Sequence, residues 1–407
     1  MKILLVHNFY QHHGGEDVVF RAEKSLLAGA GHEVTTYTRS NREIDGYNWL
    51  QKASLARRTV WASDTLAQVR SLIASARPDV AHFHNTFPLV SPSAYLACRE
   101  SGVPVVQTLH NPRLLCPAAT LYRKDAICED CSAASHWPAI LHACYRGSRL
   151  ETAVVATMLA AHRRLDTWKK LVDRYIVSTD FFARKFITSG LPADKISVKP
   201  HFAPRSQLKP ADGEYALFIG RLAPEKGALT LLKAWQSVGH VPLKIRGDGP
   251  LFPHLHSAAI EHNLPIEWLP RLSEPDLTHV FQGARFLVWP SEGLYETFGL
   301  VAVEAFACGL PVIASNLGAM AEIVRTRVTG LHFNSGDAAD LANIVAWAWA
   351  HPVEMRSMGL AARAEYELKY TPERNYEMLM NIYSDVARSA SRATSRGRDL
   401  LNVAIPS

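Results

Sequence analysis

The sequence predicts an α/β protein made of two doubly wound domains, each with a parallel sheet between layers of helices. A chain of 407 residues is too long for one ordinary hydrophobic core and suits two. Each half opens on an almost unbroken apolar strand, residues 2–6 and 215–219, and then alternates between helical and strand patterns. Residues 204–213 are polar and contain proline, as is typical of a linker. We therefore expect a first domain at 1–205 and a second at 206–366.

The other elements follow the same alternation of short apolar runs and amphipathic stretches. Helices are expected at 16–30, at 150–173 and from about 370 to 386, and the Ser- and Arg-rich residues 389–407 are predicted to form a flexible tail. Further strands are predicted at 33–37, 79–84, 103–110, 175–178, 196–202, 286–289, 311–314 and 330–333.

Composition excludes several classes of protein. Hydrophobic residues make up 48% of the chain and charged residues 20%, which is typical of a globular protein. No run of about 20 apolar residues occurs, so no membrane span is expected. The formal charge of +6 suits anionic phosphates or a membrane surface better than specific DNA binding, and no nucleic-acid motif is visible. The N-terminus lacks the layout of a signal peptide, so we expect a cytoplasmic protein whose six cysteines are reduced.

The rest of the chain is organised around residues 288–315, which predict a strand, a loop, a helix and a second strand. Pro290 and Gly293 interrupt the first strand, and Gly309 ends the helix. A loop that feeds a helix N-terminus leaves free N–H groups, here near Gly299 and Leu300, and the helix dipole adds positive potential. The stretch therefore predicts a phosphate-binding site.

Two acids lie eight positions apart in this stretch, Glu296 in the loop and Glu304 in the helix. The surrounding sequence GLYETFGLVAVEAFACGLPVIAS resembles the Glu-x7-Glu signature of the retaining glycosyltransferases of family 4. The alternative is a plain βαβ unit with two solvated acids, which leaves an acid in an apolar helix unexplained. The resemblance covers nearly the whole chain and implies the GT-B fold: two Rossmann-like domains facing each other across a cleft, with a last helix, 367–388, crossing back to the first domain.

Further motifs in the second half strengthen this resemblance. The run GRLAPEKG resembles the family's donor-phosphate motif, in which Arg221 would bind the pyrophosphate as a fork and Lys226 as a point charge. Residues 316–324 resemble the family's Gly-Gly-x-x-Glu stretch, although Ala319 replaces the second glycine. The run from Gly247 to Pro250 also resembles the family pattern, and the alternative for Asp248 is a simple turn residue. The resemblance implies donor contacts by Gly220, Arg221, Lys226, Gly247, Asp248, Arg271, Leu272, Thr297, Phe298, Gly299, Leu300, Val301 and Glu304.

The first half contributes glycines and histidines. Gly14 and Gly15 precede a helix and resemble the family's glycine-rich loop, which approaches the donor phosphate or the acceptor; a tight turn is the alternative. His110 follows an apolar strand, as the family's histidine that contacts the transferred sugar does; a lone histidine there could also be a structural hydrogen bonder. His84 ends the preceding strand, at the edge of the sheet that faces a ligand crevice. His7 and Arg113 are weaker candidates for acceptor or phosphate contact.

An insert at 111–147 holds four cysteines and shows no clear helix or strand period. Four thiolates that include one Cys-x2-Cys pair suit a structural zinc site, which would order such a segment. Free thiols or a redox pair are the alternatives, and no ligand set for a catalytic metal is visible. The predicted zinc ligands are Cys116, Cys128, Cys131 and Cys144.

The resemblance implies a mechanism without a catalytic cofactor. Arg221, Lys226 and the helix N-terminus would stabilise a leaving nucleoside diphosphate, which replaces a divalent metal, since no Asp-x-Asp motif occurs. Glu304 would bind the ribose hydroxyls, and Glu296 and His110 would be the catalytic groups around the sugar. The expected donor is a UDP- or GDP-sugar, and the expected acceptor a glycan or lipid-linked glycan in bacterial cell-surface polysaccharide assembly.

Two other points stay open in the sequence. Residues 41–77 are amphipathic and combine basic residues with Trp49 and Trp61, which suits peripheral contact with the inner face of the cytoplasmic membrane; a solvated helix pair is the alternative. A non-catalytic nucleotide-sugar-binding protein, or an epimerase or phosphorylase on the same scaffold, is the alternative to a transferase.

Overall fold

The structure is a computed structural model, and it describes residues 1–11, 14–131, 135–209, 212–294 and 296–402. Two six-stranded sheets, both parallel throughout, form the centres of two α/β domains. The first sheet has the order β2-β1-β3-β4-β7-β8, and the second β11-β10-β9-β12-β13-β14. In each sheet the strand order reverses beside the first strand of the domain, and this reversal places a ligand crevice at the carboxyl ends of the strands. The fold is thus the predicted pair of doubly wound domains.

The first domain contains these strands and helices: β1 Lys2–Phe9, α1 Gly15–Gly29, β2 Glu33–Ser40, α2 Trp49–Val60, α3 Ser63–Ala76, β3 Val80–Phe83, α4 Ser93–Glu100, β4 Val105–Thr108, β5 Tyr122–Arg123, β6 Ala126–Ile127, α5 Trp137–Leu141, α6 Arg149–Arg164, α7 Thr167–Lys170, β7 Arg174–Val177, α8 Asp180–Thr188 and β8 Ile196–Val198. Short 3-10 helices lie at Asn41–Gly46, Pro112–Leu114 and Ala193–Lys195.

The second domain and the final helix contain the following: β9 Tyr215–Ile219, α9 Ala228–Val238, β10 Leu243–Arg246, α10 Phe252–Glu261, β11 Ile266–Leu269, α11 Glu274–Gly283, β12 Ala284–Trp289, α12 Leu300–Ala307, β13 Val312–Ser315, α13 Gly318–Ile323, β14 Gly330–Phe333, α14 Ala338–Ala350, α15 Pro352–Lys369 and α16 Pro372–Asn402. A 3-10 helix lies at Pro224–Lys226. None of the described helices is both long and apolar enough to cross a bilayer.

The last helix ties the two ends of the chain together. Leu379, Ile382 and Tyr383 on α16 pack in one buried cluster with Ile3 and Leu5 of β1. The prediction that this helix ends near residue 386 is wrong, because α16 continues to Asn402, whereas the flexibility of residues 389–407 stays a prediction. The added residues include several alanines, arginines and leucines, which favour helix, and no proline. Residues 403–407 lie outside the described part.

Two other stretches differ from the sequence prediction. The single helix expected at 150–173 is two helices, because Asp166 has a left-handed backbone (φ 53°) between α6 and α7. The insert, which has no sequence periodicity, contains the antiparallel pair β5–β6 and the short helix α5. Such two-residue strands are too short to leave a detectable pattern in the sequence.

Candidate functional site

The loop between β12 and α12 carries the predicted catalytic acid into the space between the domains. Gly299 ends this loop with a left-handed backbone (φ 98°), and an added Cβ would lie 2.1 Å from the Trp289 ring. Only glycine fits there, so the chain turns directly into α12 at Leu300 and leaves the first N–H groups of the helix without partners in the helix. Tyr295, in the same loop, lies outside the described residues. This arrangement suits an anion at the start of α12.

Glu296 forms an ion pair with Lys226, the lysine of the GRLAPEKG run. The ammonium lies 2.6 Å from Oε2 and 2.8 Å from Oε1 of the carboxylate. Trp289 Nε1 and the Ser291 hydroxyl also donate to Oε2, at 3.0 and 3.1 Å. Burial alone would raise the pKa of Glu296, but Lys226 and these donors outweigh it, so the pKa lies below its ordinary value. Glu296 is therefore an anion at neutral pH, and it contacts a residue predicted for donor phosphate.

Close backbone contacts hold the phosphate-side loops together. An added Cβ at Gly247 would lie 2.0 Å from Gly220 O, and one at Gly227 would lie 1.8 Å from Pro290 O. The loops after β9, β10 and β12 therefore meet backbone to backbone, and Lys226 stands at the end of its short 3-10 helix beside the loop after β12. Arg221 is exposed at the same edge of the sheet. These predicted cations thus lie on one rim of the crevice.

The remaining donor candidates of the second domain have different surroundings. The Asp248 side chain accepts from Gly249 N–H at 2.7 Å, which is the turn role that the sequence left open. Arg271 is exposed and Leu272 half-buried, both after β11. Glu304 is half-buried on α12. Burial raises the pKa of the Cys308 thiol, and the nearby charge of Glu304 raises it further. The bond of Asp248 to Gly249 and the exposure of Arg271 do not themselves indicate a nucleotide.

The first domain reaches the same loop from the opposite side. The Thr297 hydroxyl donates to His110 O at 2.7 Å, and Thr297 O accepts from the Ser178 hydroxyl at 2.8 Å. An added Cβ at Gly15 would lie 3.6 Å from Leu300 Cδ1, so the glycine loop approaches the start of α12. The structure therefore brings together Gly15, His110 and the Glu296 loop, which the sequence predicts separately.

The predicted histidines form a buried row. His84 Nδ1 lies 3.0 Å from His110 Nε2, and the two rings stack with centroids 5.2 Å apart. The His201 ring also stacks with that of His110, at 5.2 Å between centroids, and meets Phe298 edge-on at 5.1 Å. Burial, followed by neighbouring histidines and Lys199, holds the pKa of His110 well below its ordinary value. His110 is therefore neutral, and it cannot supply positive charge to a phosphate.

The two weaker candidates have structural partners. His7 Nε2 lies 2.8 Å from Asp17 Oδ1, and both side chains are fully buried. Arg113 donates to Pro117 O at 2.6 Å and lies over the Phe87 ring at 4.3 Å. These contacts favour a role in packing for both residues.

Sequence reasoning missed one titratable group beside the crevice. Glu16 lies in the first turn of α1, directly after the two glycines. It accepts a hydrogen bond from Asn111 Nδ2, and its buried Oε2 has no partner among the described residues. Burial raises its pKa to about 7, although the bond from Asn111 and the charge of Arg113 oppose this. The acid after the Gly-Gly pair was the available signal. A carboxyl that titrates near neutrality beside the predicted sugar site is a candidate for proton exchange or acceptor contact.

The four insert cysteines are free thiols, and three of them influence the fourth, Cys131, electrostatically. Burial raises the pKa of Cys131 to about 11; Ala139 opposes this, and Cys116, Cys144 and Cys128 add to it. The thiols are nevertheless less compact than a metal site. Among the described residues, the group of three ligand atoms within 4.8 Å of one another is Glu23, His82 and His84.

The insert also touches the second domain. Tyr122 of β5 packs against Gly293, where an added Cβ would lie 3.3 Å from its ring, and its hydroxyl lies 3.5 Å from Glu292 Oε2. The insert therefore forms part of one wall of the crevice, next to the Glu296 loop.

The facing Rossmann-like domains, with a shared site at their strand ends, define the GT-B class of protein. Solved structures agree: Anabaena Alr3699/HepE in complex with UDP and glucose has a TM-score of 0.68 at 17% identity, covering 95% of this chain and 100% of that one. Sucrose-phosphate synthase from Thermosynechococcus elongatus has a TM-score of 0.70 at 19% identity, covering 95% and 99%. At these identities the likeness establishes the fold.

Sequence comparison gives the family. The model of the glycosyl transferase 4-like domain matches residues 14–201, and that of glycosyl transferases group 1 matches residues 201–365. The D-inositol 3-phosphate glycosyltransferase of Mycobacterium leprae is 35% identical over 180 residues, covering 39% of this chain and 41% of that protein. The chain spans about half the length of the curated relatives it matches. The protein belongs to glycosyltransferase family 4, as its motifs predict.

Proposed function

We propose that the protein is a retaining glycosyltransferase that moves a sugar from a nucleoside-diphosphate sugar to an acceptor hydroxyl. The observation that carries the proposal is the convergence of Lys226, Glu296 and the start of α12 with His110 of the other domain. This arrangement offers positive charge for a pyrophosphate on one side and polar groups for a sugar on the other. The complex of HepE with UDP and glucose, on the same fold, supports a UDP-sugar as donor, with a GDP-sugar as the alternative.

The ion pair suggests how donor binding would prepare the site. A pyrophosphate would compete with Glu296 for Lys226 and would add Arg221 and the first N–H groups of α12 as partners. Glu296, with one partner fewer, would then face the sugar and stabilise positive charge that develops at the anomeric carbon. Glu304 would bind the ribose hydroxyls. These cations and N–H groups supply the charge that a divalent metal supplies elsewhere, so we propose transfer without a metal.

The test is binding and turnover by the purified full chain. We expect UDP or GDP to raise the melting temperature saturably, with or without EDTA, and expect the matching sugar conjugate to release its nucleotide when an acceptor is present. Binding without release of nucleotide, across UDP-glucose, GDP-mannose and candidate acceptors, would favour the non-catalytic binding protein. Absence of binding by both nucleotides would remove the proposal.

We propose a lipid-linked glycan as acceptor, reached by peripheral contact with a membrane in cell-surface polysaccharide assembly. In the stretch predicted for this contact, Arg58 pairs with Asp64 at 2.5 Å, and the Trp61 ring lies 6.3 Å from that of His162. Both side chains thus have partners within the protein and give the membrane contact little support. Better support comes from exposed apolar side chains on neighbouring helices, with exposed Arg57 and Arg149 near them in sequence. These apolar residues are Leu50 on α2, Trp137 on α5 and Leu150 on α6.

Flotation with vesicles tests the membrane contact. The protein should float with vesicles that contain phosphatidylglycerol, and the double substitution Trp137→Glu and Leu150→Glu should abolish this. Val353→Glu is the matched control, because Val353 is exposed on α15 of the other domain. Equal flotation of all three proteins would contradict the assignment of this surface.

We also propose that the insert holds a structural zinc ion through Cys116, Cys128, Cys131 and Cys144. The support is their mutual electrostatic interaction in a segment with little regular structure. Zinc would draw the sulfur atoms together and deprotonate them, and it would order the wall that Tyr122 forms. Metal analysis should find about one zinc per chain in the wild type and in Cys308→Ser, and none in Cys128→Ser. Metal-free wild-type protein with unchanged stability would refute the site.

A further inference from the structure

A second lysine–glutamate pair lies deep inside the first domain. Lys199 Nζ donates to Glu23 Oε1 at 2.7 Å, and both side chains are fully buried. Glu23 lies on α1, and Lys199 directly follows β8. Burying two charges is costly, and the pair lies far along the chain from the donor motifs of the second domain. Its surroundings indicate what it does.

These surroundings do not suit a metal ion, although Glu23, His82 and His84 group closely. The Lys199 ammonium already occupies one carboxylate oxygen and would repel a cation. Both ring nitrogens of His82 are also engaged, one with the Tyr383 hydroxyl and the other with the Thr108 hydroxyl, each at 2.7 Å. His84 is the member of the group that still has an unoccupied ring nitrogen.

The other oxygen of Glu23 determines which nitrogen of His84 carries the proton. Glu23 Oε2 lies 3.6 Å from His84 Nε2, and neither atom has a hydrogen-bond partner among the described residues. A carboxylate can only accept, so the proton of a neutral His84 belongs on Nε2. Burial and the neighbouring histidines keep the pKa of His84 well below its ordinary value, which makes the ring neutral. His84 Nδ1 is then a hydrogen-bond acceptor.

The bond between the two rings also fixes the proton of His110. His84 Nδ1 lies 3.0 Å from His110 Nε2, so His110 must donate from Nε2. Because His110 is also neutral, its remaining nitrogen, Nδ1, has a lone pair and no proton. Within the described part of the chain, the His110 side chain makes no other hydrogen bond. Its outer nitrogen can therefore accept from a ligand but cannot donate to one.

We propose that Glu23 and His84 are positioning residues that fix His110 in the Nε2–H tautomer, so that Nδ1 accepts a hydrogen bond from a hydroxyl of the bound sugar. Lys199 holds the Glu23 carboxylate in place, and the stacked ring of His201 restrains the plane of the His110 ring. The contact with a sugar rests on the proposed function, whereas the tautomer does not. This assignment excludes His110 as a proton donor to the leaving pyrophosphate.

The tautomer can be measured without any substrate. The full chain, labelled with 15N at histidine, is examined by long-range 1H–15N correlation, which distinguishes protonated from unprotonated ring nitrogens; a His110→Gln spectrum assigns the signals. We expect His84 and His110 each to be protonated at Nε2 alone. In His84→Phe, which keeps a stacking ring but removes the acceptor, His110 should become a mixture of both tautomers. An Nδ1–H form of His110 in the wild type, or no change in His84→Phe, would overturn the proposal.

Tyr383→Phe is the matched control. It removes a buried hydrogen bond from His82, the neighbouring ring, without touching the bond between His84 and His110. The His110 signals should stay unchanged in this variant. If they change as much as in His84→Phe, the effect is a general disturbance of the buried cluster, and the proposed direct route is wrong. Glu23→Gln should give mixed tautomers of His84; if it does not fold, His84→Phe decides.

Kinetics then tests the consequence for the sugar, with UDP-glucose or GDP-mannose, whichever the wild type turns over. His84→Phe should lower kcat tenfold to a hundredfold, roughly the loss of one oriented hydrogen bond, with affinity for the free nucleotide within about twofold. Equal losses in nucleotide affinity would indicate a structural role and contradict the proposal. If no donor reacts while the tautomers are as expected, the proposed function fails and the tautomer assignment stands.

Discussion

Two lysine–glutamate pairs of nearly equal length occupy opposite environments in this protein. Lys226 and Glu296 are 2.6 Å apart and keep 17% and 16% of their side-chain surface exposed. Lys199 and Glu23 are 2.7 Å apart and keep none. The first pair borders the crevice, so a ligand or water can replace either partner. The second has no such substitute. Their surroundings therefore determine whether such a pair can take part in binding or must remain intact.

The largest effect should come from breaking the buried pair. Lys199→Met leaves the Glu23 carboxylate buried without its partner, and we expect a loss of about 3–5 kcal/mol in the free energy of unfolding. Urea denaturation measures it. Glu23→Leu combined with Lys199→Met should recover most of the loss, because neither charge remains. A single substitution that costs less than about 1 kcal/mol would show that the two pairs are energetically alike.

Breaking the pair at the crevice should instead affect binding. Lys226→Ala removes a cation from the proposed pyrophosphate site, and calorimetry should show the affinity for UDP or GDP reduced tenfold to a hundredfold, equivalent to about 1.5–3 kcal/mol. Its free energy of unfolding should change by about 1 kcal/mol or less, since water can solvate Glu296. Lys233→Ala, an exposed lysine on α9, is the control. Unchanged nucleotide affinity would show that Lys226 is not part of the donor site.

The two partners at the crevice should also differ from each other. Glu296→Ala should lower turnover more than donor binding, because its carboxylate would act on the sugar and its loss frees Lys226 for phosphate. Glu304→Ala should chiefly weaken nucleotide binding. Steady-state rates and calorimetry on both variants check the split. Wild-type turnover in Glu296→Ala would refute its catalytic assignment.

The last comparison concerns pH, because the pKa shifts of two carboxyls at the crevice have opposite signs. Burial raises the pKa of Glu16 to about 7 from 4.5, so its contribution to stability is present below pH 4.5 and is lost as pH rises through 7. The lowered pKa of Glu296 gives stability that is present above pH 4.5 and lost as pH falls below it. Glu16→Gln should therefore be more stable than wild type at pH 8 and equal to it at pH 4. If the stability of Glu16→Gln still declined as pH rises through 7, a group other than Glu16 would be responsible.

The sequence predicted the second domain well because its motifs are local. The strand, loop and helix start around Glu296 are contiguous, and their glycines and prolines mark each boundary. The same holds for the GRLAPEKG run, whose lysine the structure places on Glu296. The pairing itself was not predicted, because the two residues are 70 positions apart and single-sequence patterns do not report such contacts.

The first domain illustrates what local patterns cannot reveal. Lys199 and Glu23 are 176 positions apart, and Thr297 meets His110 across 187. In sequence, Lys199 resembles an ordinary solvated lysine beside a proline, and Glu23 an ordinary helix residue. Their burial depends on how β8, α1 and β3 assemble. The end of the last helix was predicted too early for another reason: the Ser and Arg content of residues 389–402 suggested a loop, although the structure continues the helix through them.

Glu322 makes one of the contacts between the two domains. Its carboxylate, on α13 of the second domain, accepts from the N–H groups of Asp180 and Phe181 at the start of α8 in the first, both at 2.8 Å. Glu322 is exposed, so water can satisfy the carboxylate and both N–H groups when they part. Breaking these two hydrogen bonds therefore costs little free energy. At this contact, separation of the two domains would expose the polar groups to water and leave none of them buried without a partner.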